Sequence, residues 1–232
     1  MNNFLETYLK ERYIESQKDL KKKNPGPLVT ISREFGCDAQ YISASLAYYL
    51  NSHHKQIGQE KDWEIISKEI LEESANLLKT DQKNIDHVFT YEKRTVIEDF
   101  FQSFTSSQYH CDMKIRSTIK KVVYAFAEEG YAIILGRAGA QITREIEKSL
   151  HIRLVAPFDW RVDHVMEKYN LNEKDAVKRV KEMDENRKEF IENYTKEAGC
   201  VYCYDVFYNV KFLTNDQIVS DILHMMQLRK LI

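Results

Sequence analysis

A chain of 232 residues, 43% hydrophobic and 30% charged, is long enough for one sizeable α/β core, with or without a small mobile subdomain, and too short for two equal domains. Its 34 basic and 36 acidic side chains leave a net charge of −2, so no global basic field exists to hold a nucleic-acid backbone. No apolar run reaches the ~20 residues that a bilayer crossing needs, and residues 1–24 are too charged for a signal peptide. A cytoplasmic protein without membrane contact is the expectation.

Residues 4–20 predict a polar helix with Phe4, Leu5, Tyr8, Leu9 and Tyr13 along one face, followed by a lysine run and the breaker Asn24-Pro25-Gly26-Pro27. Residues 1–27 thus read as an N-terminal helical extension ahead of a domain over 28–232. The apolar face of that helix needs the body of the chain or a second subunit to lie on, so a homo-oligomer joined through it is one expectation. Leu28–Ser32 then predicts a compact apolar strand. The turn Gly36-Cys37-Asp38-Ala39-Gln40 leads into a helix carrying Ile42, Leu46, Tyr49 and Leu50 at helical spacing. Strand, short turn and helix in that order is the layout of a phosphate-cradling unit.

From Lys61 to about Ser106 the pattern is helical throughout and predicts an insert over 61–106. A further helix with Ile115, Ile119, Val122, Val123 and Phe126 on one face ends at Gly130, a suitable cap. Tyr131–Leu135 is near-continuously apolar, as a central parallel strand is when both faces are covered. Gly136-Arg137-Ala138-Gly139 turns the chain into a short helix to Leu150, and Ile152–Ala156 predicts another strand, stopped by Pro157. Asp159 is placed to cap the next helix, and Asn172 with Asp175 to cap a long charged one reaching about Lys196. Residues 160–198 therefore read as lid-like helices. Asp205–Val210 predicts the last strand, and Thr214 with Gln217 a capping box for the C-terminal helix. Strands separated by helices in this order predict an α/β fold, a parallel sheet of about five strands with helices on both sides.

Four cysteines, at 37, 111, 200 and 203, are too sparse for a disulfide framework and predict reduced thiols. Cys200 and Cys203 form a CxxC that His110 and Cys111 would have to join for a tetrahedral metal site. Zinc sites show two tightly spaced ligand pairs, so no metal is expected there.

Ligands of open parallel sheets bind beyond the carboxyl ends of the strands. That rule selects Ser32, Arg33 and the turn Gly36, Cys37, Asp38, Ala39 and Gln40 after the first strand, Arg137 after the second, and Phe158 to Arg161 after the third. Arginines at strand ends close to a helix N-terminus suit an oxyanion or phosphate. The long helix adds Arg179, Lys181, Asp184, Arg187 and Lys188, with Asp184 and Arg187 three apart on one face. Its plain reading is a solvated face laced with ion pairs; its functional reading is a lid whose cations meet the charge on a transferring phosphoryl group.

Taken together, these residues carry a resemblance. Ile31-Ser32-Arg33-Glu34-Phe35-Gly36 resembles the opening of the cytidylate-kinase-like proteins, a branch of the P-loop nucleoside monophosphate kinases. Glu64-Ile65-Ile66, Ala127–Gly130 with Gly136-Arg137, Ile152–Pro157 with Arg161, Val180–Arg187 and Tyr204-Asp205-Val206 resemble further pieces in the same order, over about residues 28–226. The resemblance implies a three-layer P-loop NTPase-like fold in which ATP with Mg²⁺ supplies a phosphoryl group and CMP or dCMP accepts it. It implies that Arg137 holds the acceptor phosphate and that Arg161 and the lid with Arg179, Asp184 and Arg187 neutralise the transferring group. Ser32, Arg33 and the turn Gly36–Gln40 would face the donor phosphates, and the helical insert would stand in place of the monophosphate-binding domain. Against the pattern G-x-x-x-x-G-K-[ST], however, the best register places Glu34, Ala39, Gln40 and Tyr41 at the four fixed positions. The bacterial cytidylate kinases carry an aspartate where Ala138 stands. A catalytically impaired nucleotide-binding or sensor protein is therefore carried as the alternative to a kinase.

Overall fold

The computed structural model describes residues 26–67, 113–198 and 203–232. The predicted N-terminal helix, most of the predicted insert, and His110, Cys111 and Cys200 lie outside the described residues. In chain order the elements are β1 (Leu28–Arg33), α1 (Ala39–Gln56), β2 (Glu64–Ile66), α2 (Met113–Glu129), β3 (Ala132–Leu135), α3 (Gly139–Thr143), β4 (Ser149–Val155), α4 (Phe158–Tyr169), α5 (Glu173–Ala198), β5 (Val206–Asn209) and α6 (Asn215–Leu228).

The strands form one sheet of order β2-β3-β1-β4-β5, and every neighbouring pair is parallel. Period-two alternation sends Val29 and Ile31 of β1 to one face, where they pack with Ile42, Leu46 and Leu50 of α1 and with Ile218, Ile222 and Met226 of α6. Leu28 of β1 and Ile134 of β3 go to the other, against Val122, Val123 and Phe126 of α2. Each such fully buried aliphatic side chain stabilises the fold by about 1.5–3 kcal/mol. A third cluster joins Phe35, just beyond β1, to Val162, Val165, Ala176 and Val180 of α4 and α5. The α/β class, the five parallel strands and the helices on both sides are as the sequence predicts. Among the described residues no helix is long and apolar enough to cross a membrane.

Several boundaries differ. Glu64–Ile66 is a strand, not the start of a helix, because Ile65 and Ile66 pair in register with Ile133 and Ile134 and local period yields to sheet pairing. Asn51 fixes the approach, accepting from the Trp63 amide at 2.6 Å and donating to the Trp63 carbonyl at 3.1 Å. Tyr49 is 52% exposed, since the inward line of α1 runs through Ile42, Leu46 and Leu50 and leaves it to one side. The short helix ends at Thr143, and Ser149 and Leu150 already belong to β4. Pro157 stands at the N-cap of α4, with Asp159 inside the first turn. The Asn172–Asp175 cap, with the Asp175 amide 2.9 Å from Asn172 Oδ1, and the Thr214–Gln217 capping box are present.

Candidate functional site

β1 hands over to α1 through residues 34–38 alone. The Cys37 amide donates to the Glu34 carbonyl at 3.2 Å, closing a tight turn in which Gly36 has φ +93°. A Cβ on Gly36 would sit 3.0 Å from Cβ of Arg161, so the turn is pressed onto α4. Asp38 is the N-cap of α1, its Oδ1 accepting from the Gln40 amide at 3.1 Å while its Oδ2 pairs with Lys168 at 3.0 Å. Burial alone would raise the Asp38 carboxyl, but the Lys168 and Gln40 hydrogen bonds carry it below the usual range. Burial, then the charge of Glu34, pushes the Cys37 thiol up to about 12, which keeps it neutral and unreactive.

The two amides that open the turn already have acceptors. The Glu34 amide donates to the Leu154 carbonyl at 3.1 Å, and the Phe35 amide donates to Asp184 Oδ1 at 2.8 Å. A carboxylate of α5 therefore sits on the turn where a phosphate-cradling loop offers its amides to an anion.

Arg161 fastens this arrangement. It is 6% exposed, and its Nε donates to the Ala156 carbonyl at 3.1 Å and lies 3.4 Å from Glu34 Oε2. Its Nη1 donates to the Phe35 carbonyl at 3.0 Å and to Asp184 Oδ2 at 2.5 Å. Glu34 Oε2 also accepts from the Ala156 amide at 3.2 Å. Buried charge pairs hold only with well-placed hydrogen bonds around them, and those of this cluster tie β1, β4, α4 and α5 together. Asp184 thus pairs with Arg161, not with Arg187 on its own helix.

Arg187 instead donates to the Arg33 carbonyl at 3.2 Å and lies over the Phe35 ring at 5.4 Å. Burial, then the nearby charge of Arg33, lowers it to about 10, with Asp184 opposing. The guanidinium of Arg33 rests against Gly136, where a Cβ would come within 2.5 Å of its Nη1. Gly136 has φ +71°, and Arg137 and Ala138 follow at +52° and +53°, a run of left-handed residues that L side chains adopt at a cost. This strained turn aims Arg137 over the Phe190 ring of α5 at 5.2 Å. Arg33, Arg137 and Arg187 therefore gather at the carboxyl ends of β1 and β3. Arg179 is farther out, exposed and 4.2 Å over Tyr169, which stacks on Phe35.

The remaining candidate positions fall elsewhere. Ala39 and Gln40 form the first turn of α1, and Ser32 is buried under Tyr204, whose hydroxyl donates to Ser32 Oγ at 3.1 Å. The sequence names Glu34 and Tyr204 only as parts of motifs, without a role at the site, and gives no role to Lys168, Gln141 or Arg153. The one readable signal among them was an arginine inside a strand otherwise built to be buried. Cys203 takes part in a disulfide, which corrects the expectation of a reduced thiol there.

Mg²⁺ with a triphosphate does not fit the turn as it stands. The amides of Glu34, Phe35 and Cys37 are taken, no lysine follows, and Asp38 is committed to its cap and to Lys168. Among the described residues no group of three or more His, Cys, Asp or Glu side chains clusters as metal ligands.

The crystal structure of an uncharacterized protein from Eubacterium ventriosum superposes with a TM-score of 0.58 at 22% identity, covering 87% of this chain and 98% of that one, a likeness of fold. A uronate isomerase from Corynebacterium glutamicum is 31% identical over 106 residues, which are 45% of this chain. That stretch is 20% of the isomerase, so the chain spans a fifth of its length. The family model of the cytidylate kinase-like family matches residues 28–211, most of the 232-residue chain. The chain belongs to the cytidylate kinase-like family.

Proposed function

We propose that this chain is a kinase-like nucleotide-binding protein that holds a nucleoside monophosphate, of the (d)CMP type, at the carboxyl ends of β1 and β3. The observation that carries this is the gathering of Arg33, Arg137 and Arg187 there, with Arg137 presented by a strained turn. Strain of that kind persists where the surrounding structure enforces it, and it collects at ligand sites. Guanidinium groups suit phosphate by charge and by their forked donors, and the Phe35 and Phe190 rings hold two of them in place.

Family membership supports phosphoryl transfer from ATP to that monophosphate as the activity, through an arrangement of the turn other than the one described above. Such transfer works by positioning and electrostatics, so the arginines would neutralise the transferring group. For a donor phosphate to reach the turn amides, Asp184 has to leave Phe35. A second reading, binding without turnover, is favoured by that same Asp184–Phe35 contact and by Cys37-Asp38-Ala39-Gln40 in place of a lysine-bearing loop.

One experiment separates the two. CMP, dCMP and UMP are offered with ATP and Mg²⁺ while ADP and the melting temperature are both followed. Turnover that collapses in Arg137→Ala supports the kinase. A raised Tm with no ADP supports the binding protein. Neither response, from a folded chain, overturns the nucleotide reading.

A further inference from the structure

A parallel strand covered by helices on both faces runs apolar, because a polar side chain placed there gives up water. β4 breaks that rule at His151 and Arg153, two residues apart and so on the same face. Each stands level with a hydroxyl residue of β1, His151 with Thr30 and Arg153 with Ser32.

The two positions are resolved in opposite ways. Ser149 Oγ donates to the Ile146 carbonyl at 2.5 Å, so at its 3.0 Å contact with His151 Nε2 it accepts the ring N–H. Nδ1 then accepts from Thr30 Oγ1 at 2.9 Å. Every polar atom of the His151 ring has a partner, and the residue is structural.

Arg153 carries five N–H donors and, among the described residues, makes one hydrogen bond, from Nη1 to the Tyr204 hydroxyl at 3.3 Å. Its guanidinium lies over the Tyr204 ring at 5.4 Å, and among the described residues no carboxylate pairs with it. The frame around it is rigid. Tyr204 donates to Ser32 Oγ and accepts from Gln141 Nε2 at 3.2 Å, so β1, α3 and the approach to β5 all meet at one hydroxyl. On the other side of Ser32, the Gly136 amide donates to the Ile31 carbonyl at 3.0 Å, which sets Gly136 and Arg137 beside the end of β1. Arg137 and Arg153 thus flank Ser32 from the two neighbouring strands. A half-buried guanidinium held in a fixed orientation with most donors unspent is prepared for an anion.

We propose that Arg153, framed by Tyr204, Ser32 and Gln141, is a further phosphate-binding cation of this site and takes the monophosphate group together with Arg137. The inference rests on the nucleotide reading above for the identity of the ligand, and on geometry alone for the anion.

The test uses the full chain, calorimetry with CMP, dCMP and inorganic phosphate, and thermal melting. Arg153→Met should weaken the binding of all three probes at least tenfold with Tm unchanged or raised, since replacing a poorly compensated cation by an apolar side chain is neutral or stabilising. Arg153→Lys should recover part of the affinity, which a packing role would not produce. Unchanged affinity in Arg153→Met, with wild type binding a nucleotide, overturns this inference and leaves the nucleotide reading standing. Capture of inorganic phosphate that Arg153→Met abolishes, without capture of CMP or dCMP, supports it and removes the nucleotide. Wild type that binds none of the three overturns both. Should Arg153→Met melt early, Tyr204→Phe decides: lower affinity at wild-type Tm supports the proposal, and unchanged affinity overturns it.

Discussion

Arg161 and Arg153 sit eight residues apart on one strand–helix unit, and the fold commits the first while leaving the second open. Arg161 serves two carboxylates and two carbonyls; Arg153 serves one hydroxyl. A count of arginines at the carboxyl edge would treat them alike. The difference teaches that a ligand-binding cation is recognised by the acceptors it lacks, because a guanidinium whose donors are satisfied within the protein has little left to offer a phosphate. The resemblance in sequence assigns Arg161 to the transferring group, whereas the structure makes it the fastening between the turn and the long helix.

Breaking that fastening should give the largest effect. Arg161→Ala leaves Asp184 and Glu34 half-buried and without their cation, and loss of one partner of such a pair costs about 3–5 kcal/mol. Urea denaturation should show this as a lowered midpoint, and hydrogen exchange should show faster exchange of the Phe35 amide. A cost of only about 0.2–1 kcal/mol, the size of a surface pair, would mean that the hydrophobic cluster of Phe35, Val162 and Val180 holds the helices unaided.

The neighbouring contrast, His151 against Arg153, is sharpened by pH. Burial lowers the His151 imidazole to about 4, with Asp205 opposing, so the folded protein keeps it neutral where the unfolded chain protonates it near 6.5. The unfolded state therefore binds the extra proton between those values. Its contribution to stability is complete above about 6.5 and is lost as pH falls toward about 4. Wild type should lose Tm between pH 7 and pH 4.5 more steeply than His151→Gln, and Arg153→Met should follow the wild-type slope. Equal slopes in wild type and His151→Gln would show that the imidazole is not held neutral.

The sequence makes the scaffold legible because its signals are local. Apolar runs, Gly130 as a cap, Asn172 with Asp175 and the Thr214–Gln217 box each act within a few residues of themselves, and each is present. Glu64–Ile66 escaped because three residues carry no period of their own, and only the register with Ala132–Ile134 makes them a strand. For the candidate site the sequence offers residues at strand ends but not the partners those residues take. Asp184 meets Phe35 across 149 positions and Tyr204 meets Ser32 across 172, and no spacing rule reaches that far. The strain at Arg137 and Ala138 was equally hidden, since neither residue type announces a left-handed backbone.

The smallest effect lies at the rim of the same turn, where Lys168 pairs with Asp38. Their side chains are 50% and 43% exposed, and such pairs contribute about 0.2–1 kcal/mol in a salt-dependent way. Asp38 does two separable things, because Oδ1 caps α1 while Oδ2 holds Lys168. Lys168→Met removes only the pair, whereas Asp38→Ala also removes the cap, a further loss of about 1 kcal/mol. In chemical denaturation the Lys168→Met deficit should shrink as salt is added, and most of the Asp38→Ala deficit should persist. If the two variants cost the same and respond to salt alike, the cap contributes nothing beyond the charge, and the turn is held by Arg161 and Asp184 alone.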